Sequence, residues 1–177
     1  TYPLPEAQVD RFMMKVLIDY PNEMEEFVVV ERMTGKLEKV QPVLTVQELL
    51  ELRKEAEQVF TDPALIEYAV KLTVATRDPE RFDLVELKPY ISYGASPRSS
   101  INLVLASRAL AYLRGRSWVI PQDIVDVALD VMRHRLVLSY EALAEGVSGD
   151  TIIKRILETV SPPREVLKSH VEAAYKS

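Results

Sequence analysis

Tyr93-Gly94-Ala95-Ser96-Pro97-Arg98-Ser99-Ser100, followed by the apolar run Ile101 to Leu113, decides how the chain reads. Ser96 can accept a backbone N–H bond as the N-cap of a helix, and Pro97 suits the first helical position, where no N–H is needed. Gly94 lets the backbone turn sharply or lie close against another group. Arg98 then falls in the first turn, where the positive pole of the helix dipole opposes a cation by about 0.3–1 kcal/mol. Two readings follow. Arg98 is a solvated residue on the helix surface, since arginine is a good helix former. Alternatively it is one arm of an anion site, its guanidinium and the exposed N–H groups converging on a phosphate.

The charge distribution bears on that choice. No Asp or Glu occurs between Glu86 and Asp123, whereas Lys88, Arg98, Arg108, Arg114 and Arg116 do. This is a local basic segment in a chain of net charge -5, although its arginines do not share one helical face. The overall negative charge argues against nucleic acid as the main partner. A length of 177 residues fits one domain, or one domain and part of another. With 47% hydrophobic and 28% charged residues, the chain should bury a real core. Cysteine is absent, which excludes disulfide frameworks, thiolate zinc sites and cysteine nucleophiles. No apolar stretch approaches the roughly 20 residues of a membrane span, and Thr1 does not open a signal-peptide pattern. The chain is therefore read as soluble and cytoplasmic, without a membrane partner.

Upstream of the central stretch, Met13-Met14-Lys15-Val16-Leu17-Ile18 is a nearly continuous apolar run. It fits a strand buried on both faces of a parallel sheet, although a short helix is the alternative. The other strands of such a sheet are not in this sequence, so the chain reads as a fragment. Asn22 and Glu25 form a capping-box pattern, with Glu23, Glu25 and Glu26 in the first turn and Gly35 as the stop, which predicts a helix over 22–33. Residues 36–42 read as a linker. Thr45 and Glu48 repeat the capping box and open a helix with Leu49, Leu52, Ala56 and Val59 on one stripe. Asp62-Pro63 caps another, carrying Leu65, Ile66, Ala69, Val70 and Leu72 and ending before Asp78-Pro79.

Residues 80–93 read as a longer loop and a candidate functional segment. The helix from Pro97 to Arg114 is apolar nearly all round and should lie mid-bundle, with Gly115 as a left-handed stop. Helices are predicted over 121–135, with Ile124, Ala128 and Val131 or Met132 inward, and over 149–160, halted by Pro162-Pro163. Leu136-Val137-Leu138 reads as a short extended piece. The tail from Arg164 has Val166, Leu167, Val171 and Ala174 at helical spacing. Arg133-His134-Arg135 reads as a dipole-matched basic end of a helix. His134 and His170 lack ligand-spaced partners, so no metal site is expected, and Trp118 reads as packing beside a turn.

Gly94-Ala95-Ser96-Pro97-Arg98 before a small-residue helix resembles the second sensor of MoxR-type AAA+ ATPases. The resemblance continues in Gly115-Arg116, Val119, Pro121, Asp123-Ile124 and Arg133-His134-Arg135-Leu136. It is equally close at Thr1-Tyr2-Pro3-Leu4-Pro5-Glu6-Ala7-Gln8 running into Asp10-Arg11-Phe12. It spans most of the chain to about Pro163. It implies a mainly α fold, in which residues 1–41 are the end of an AAA+ α/β core and 42–177 the α-helical lid.

The resemblance also implies ATP and Mg²⁺ as cofactors, bound mainly by a core that would precede Thr1. Arg98, with Ser96 and Pro97, would be the second sensor. Arg11 would be the arginine finger, acting in trans on a neighbour's γ-phosphate; from its surroundings alone it reads as solvated or paired with Asp10 or Glu6. The resemblance implies self-association into a ring, usually a hexamer. It also implies chaperone-like maturation of client proteins, often ones with von Willebrand factor A domains or metal cofactors. Whether Arg98 serves its own subunit's nucleotide or a neighbour's is left open.

Certain chemistry is absent from these residues. A phosphate loop needs G-x-x-x-x-G-K-[ST], and the five glycines, Gly35, Gly94, Gly115, Gly146 and Gly149, do not form it. The chain by itself should not hydrolyse ATP. The rival reading is a stand-alone helical protein-interaction module, in which Arg11 and Arg98 are surface residues and no nucleotide takes part. A nucleic-acid-binding helical domain is a further rival, disfavoured by the net charge.

Overall fold

The computed structural model describes residues 4–36 and 39–163; Thr1 to Pro3, Leu37, Glu38 and the tail from Arg164, with His170, lie outside them. The chain is mainly α-helical, with one two-stranded sheet among the described residues.

Capping sets the helix starts as the sequence predicts. Helix α2 (Glu23–Thr34) and helix α3 (Val46–Glu57) each open on a complete capping box, Asn22 with Glu25 and Thr45 with Glu48. They follow the short helix α1 (Glu6–Val9). Asp62 accepts from the Ala64 N–H to start α4 (Pro63–Ala75), and Ser96 accepts from the Arg98 N–H to start α5 (Pro97–Leu113). Each such cap contributes about 1 kcal/mol. Gly115 ends the α5 region with φ +71°, in the left-handed region that favours glycine.

The core forms where α5 packs against α4 and α6 (Pro121–Met132), and α3 touches α5 without burying a residue of its own. Leu65, Leu72, Leu103, Ile124, Met132 and Ile156 are fully buried there, the last from α8 (Gly149–Thr159). Residues 79–90 are not an open loop. They form two 3₁₀ turns pinned by buried Leu84 and Leu87, so this segment packs as part of the bundle. Strands β1 (Ile91–Tyr93) and β2 (Val137–Leu138) pair antiparallel, and α7 (Tyr140–Ala144) follows. The Phe60 N–H donates to Ser117 O and the Val119 N–H to Phe60 O, both at 2.9 Å, tying the end of α3 to the α5–α6 turn.

The strand expected over residues 13–18 needs a sheet whose other strands are not in this chain. Residues 13–18 form no strand, and Ile18 is 91% exposed. Apolar, β-prone side chains stabilise a strand only by packing on a pleated neighbour, and no sheet edge among the described residues offers one. The segment is without regular secondary structure, and the Lys15 N–H donates to Asp130 O at 2.8 Å.

Candidate functional site

The entry into α5 is fixed by close backbone contact. A Cβ on Gly94 would sit 2.4 Å from Thr76 O and 2.6 Å from Arg77 Cγ, so only glycine fits. The next residue, Ala95, donates its N–H to Thr76 Oγ1 at 2.8 Å, and Thr76 Oγ1 donates in turn to Thr73 O at 2.6 Å. Pro97 takes the first helical position and contributes shape, not a donor. This rigid turn carries Ser96 and Arg98.

Both side chains converge on one anion, the carboxylate of Asp10. The Ser96 hydroxyl donates to it at 2.9 Å (Oδ1) and 3.1 Å (Oδ2), and Arg98 Nη1 donates to Oδ2 at 2.9 Å. Behind it lies Arg135, whose fully buried side chain brings Nε to 3.4 Å from Asp10 Oδ1. Burial alone would raise the Asp10 carboxyl. Hydrogen bonds from Arg98 and Ser96 and the Arg135 charge outweigh that and hold it below the usual carboxylate value. Arg98 remains more than half exposed, and only Nη1 is engaged; its Nε and Nη2 have no partner among the described residues. A cleft of about 490 Å³ opens beside this cluster, lined by Asp10, Tyr93, Gly94, Ser96, His134 and Arg135.

Arg133, His134 and Arg135 do more than match a helix dipole. Arg135 donates to the carbonyls of Asp10 (3.2 Å), Phe12 (2.5 Å), Met13 (3.3 Å) and Val131. Arg133 Nη1 donates to Lys15 O at 2.7 Å, while Asp150 (2.9 Å) and Asp130 neutralise it. His134 Nε2 lies 3.0 Å from Phe12 O, and a carbonyl can only accept, so Nε2 carries the proton. Burial pushes the ring's pKa down, against the opposing bond to Phe12 O. The triplet is a clamp on residues 10–15.

The basic segment does not form a free anion surface. Lys88 pairs with Glu80 at 2.7 Å. Arg114 and Arg116 reach buried Asp123 at 3.0 and 2.5 Å, and Arg114 also holds Asp126 at 2.6 Å. Arg108 donates to Thr61 Oγ1 at 3.0 Å. Of the five cations, Arg98 alone combines a helix-start position with open donors.

Comparisons with known proteins bear on the fold and the family. A family model for the AAA lid domain matches residues 86–156. Chaperone MoxR1 of Mycobacterium tuberculosis is 44% identical over 92% of this chain and 43% of its own length. Protein MoxR of Methylorubrum extorquens is 30% identical over 92% of this chain and 51% of its own. A crystal structure of a candidate ATPase from Cytophaga hutchinsonii superposes with a TM-score of 0.88 at 41% identity, over 92% of this chain and 50% of that one. The chain belongs to the MoxR family of AAA+ ATPases. It spans about half the length of the relatives it matches.

Within this MoxR chain, the residues expected to act stand apart. Ser96, Pro97 and Arg98 form one turn, and Arg11 lies outside it, exposed and without an ion pair among the described residues. Asp10, one of its two anticipated partners, is committed to Arg98 instead. Sequence reasoning missed Asp10 and Arg135 as members of the site. Asp10 meets Arg98 across 88 positions of chain, with no local pattern to announce it. Arg135 sits within a triplet already singled out, but its burial is a tertiary fact.

Proposed function

We propose that this chain is the nucleotide-sensing part of a MoxR-type ring ATPase, with residues 1–41 closing its α/β core and 42–177 forming its lid. One observation carries the reading. The first turn of α5 already seats an anion, the Asp10 carboxylate, while Arg98 keeps Nε and Nη2 open beside it. Such a donor set suits phosphate oxygens, whose planar, multidentate recognition favours arginine.

ATP with Mg²⁺, held mainly by the core's phosphate loop and acidic strand, supplies the phosphoryl group. Arg98 binds and reports the phosphate end, and the rigid Gly94–Pro97 turn fixes its direction. Arg11 projects toward a neighbouring subunit in a ring, a hexamer on this reading, and stabilises charge there. Hydrolysis drives chaperone-like maturation of clients, including von Willebrand factor A domain proteins. The chain alone is inactive, because it holds no phosphate loop.

The test is Arg98→Ala in the full-length protein. Turnover should fall on the order of 10²-fold, the usual cost of one lost transition-state donor. Stability should change by no more than about 1 kcal/mol, the range for a solvent-facing ion pair. Unchanged turnover, or an early melt with loss of helical signal, sinks the assignment.

A further inference from the structure

We propose that Asp10 is a positioning residue, which aims Arg98 at the nucleotide and ties the aim of Arg11 to the same turn; this rests on the sensor and finger reading above. Three observations carry it.

First, Asp10 engages Arg98 through Nη1 alone. A guanidinium is rigid and planar, so holding one arm narrows the directions open to the rest. Nε and Nη2 are left to meet an incoming anion. The carboxylate therefore works as a bracket that orients Arg98 without using up its donors.

Second, the bracket is itself held. Ser96 bonds both carboxylate oxygens, so Asp10 is registered to the N-cap of the helix that carries Arg98. Arg135 donates to Asp10 O and Phe12 O while its Nε faces the Asp10 carboxylate at 3.4 Å. That Nε is buried and makes no hydrogen bond. A buried guanidinium with one arm unsatisfied is costly unless charge compensates it, and Asp10 supplies that charge. Main chain and side chain of Asp10 are thus gripped by one residue of the bundle.

Third, Arg11 follows directly in the chain. Its carbonyl neighbours on either side, Asp10 and Phe12, are both bonded to Arg135. The backbone that carries Arg11 is therefore tied to the turn after α6, and through the Asp10 carboxylate to the start of α5. A change of Arg98 on meeting phosphate reaches Arg11 through one carboxylate and one peptide unit.

The experiment measures turnover, ADP affinity and melting of the full-length protein for Asp10→Asn, Arg98→Ala and the double variant. Asparagine keeps an acceptor for Ser96 but removes the charge that holds Arg98. Asp10→Asn should lower kcat about tenfold, as loss of an orienting partner does, with ADP affinity changed less than about twofold on the same scale. In the Arg98→Ala background the same substitution should cost clearly less than it does alone, because no guanidinium is left to aim and only the tie to Arg11 is lost.

Wild-type turnover of Asp10→Asn beside a defective Arg98→Ala overturns the inference and leaves the sensor reading standing. Losses that multiply in the double variant also overturn it, since Asp10 then acts apart from Arg98. Full turnover of Arg98→Ala overturns the sensor reading and the inference together. Should Asp10→Asn fail to fold, Arg98→Lys replaces it. An ammonium carries all its donors on one nitrogen, so once it sits against Asp10 it cannot place a donor where Nε and Nη2 of arginine point; turnover should drop to the alanine level, and wild-type turnover would overturn the proposal.

Discussion

Residues 4–57 and residues 59–160 fold by the same local rules and end in different states. Both regions hold well-capped helices, and α2 and α3 carry the two capping boxes in which side chains close both bonds. Yet α2 buries no residue, Phe27 is 63% exposed, and Leu49 and Leu50 of α3 face solvent. In the bundle, Leu65, Leu103, Ile124 and Ile152 are sealed completely. Capping therefore decides where a helix begins, and packing decides what it is worth. The front region is locally satisfied, but among the described residues α3 packs against α5 and neither α2 nor α3 buries a residue of its own. The bundle supplies partners for its own apolar faces.

The sharpest way to break this contrast is functional. If the front region serves a neighbour and the bundle serves its own subunit, Arg11→Ala in the full-length protein should lose on the order of 10³–10⁵ in kcat. Nucleotide binding should survive. Mixing it with a subunit disabled in its own phosphate loop should recover activity, read as ATPase rate against mixing ratio after subunit exchange. Rates that merely add at every ratio would return Arg11 to the surface.

Stability sharpens the contrast next. Ile124→Ala should cost about 2–5 kcal/mol in chemical denaturation, because the fully buried site cannot collapse around the loss. Phe27→Ala on exposed α2 should change stability by no more than about 0.5 kcal/mol. Equal effects at both positions would mean that the front region is as well packed as the bundle.

The last test is acid. Burial would raise the Asp123 carboxyl, but hydrogen bonds from Arg116 and the Ile120 N–H, with the Arg116 charge, take it below the usual value. A carboxyl depressed in the folded state adds stability above its unfolded pKa of about 4 and loses it as pH falls through the folded pKa. Asp123→Asn should be about 1–3 kcal/mol less stable at pH 7, the cost of a charged hydrogen-bond partner. Urea melts should show that gap narrowing below about pH 4. A gap constant with pH would mean that the pairing with Arg114 and Arg116 contributes nothing.

The helix plan was legible because its signals are local. Asn22, Thr45, Asp62, Ser96 and Gly115 mark boundaries by chemistry acting within three or four residues. A strand at residues 13–18 depends on a neighbour, and none among the described residues pairs with them. The basic segment looked free because its compensation is tertiary: Asp123 bounds the acid-free window and turns back onto Arg114 and Arg116. Ser96, Pro97 and Arg98 were legible as an anion-seeking turn. The carboxylate that fills it was not, since Asp10 reaches it only through the fold.

The grip of Arg133, His134 and Arg135 on residues 10–15 has a consequence for how this joint tolerates change. Every bond from the triplet to Phe12, Met13 and Lys15 ends on a main-chain carbonyl. A joint read in this way is blind to spelling and sensitive to spacing. Side chains at 12, 13 and 15 can be exchanged while the carbonyls keep their places. Inserting or deleting a single residue would instead offer the triplet carbonyls of the opposite phase, and Arg11 would leave in another direction.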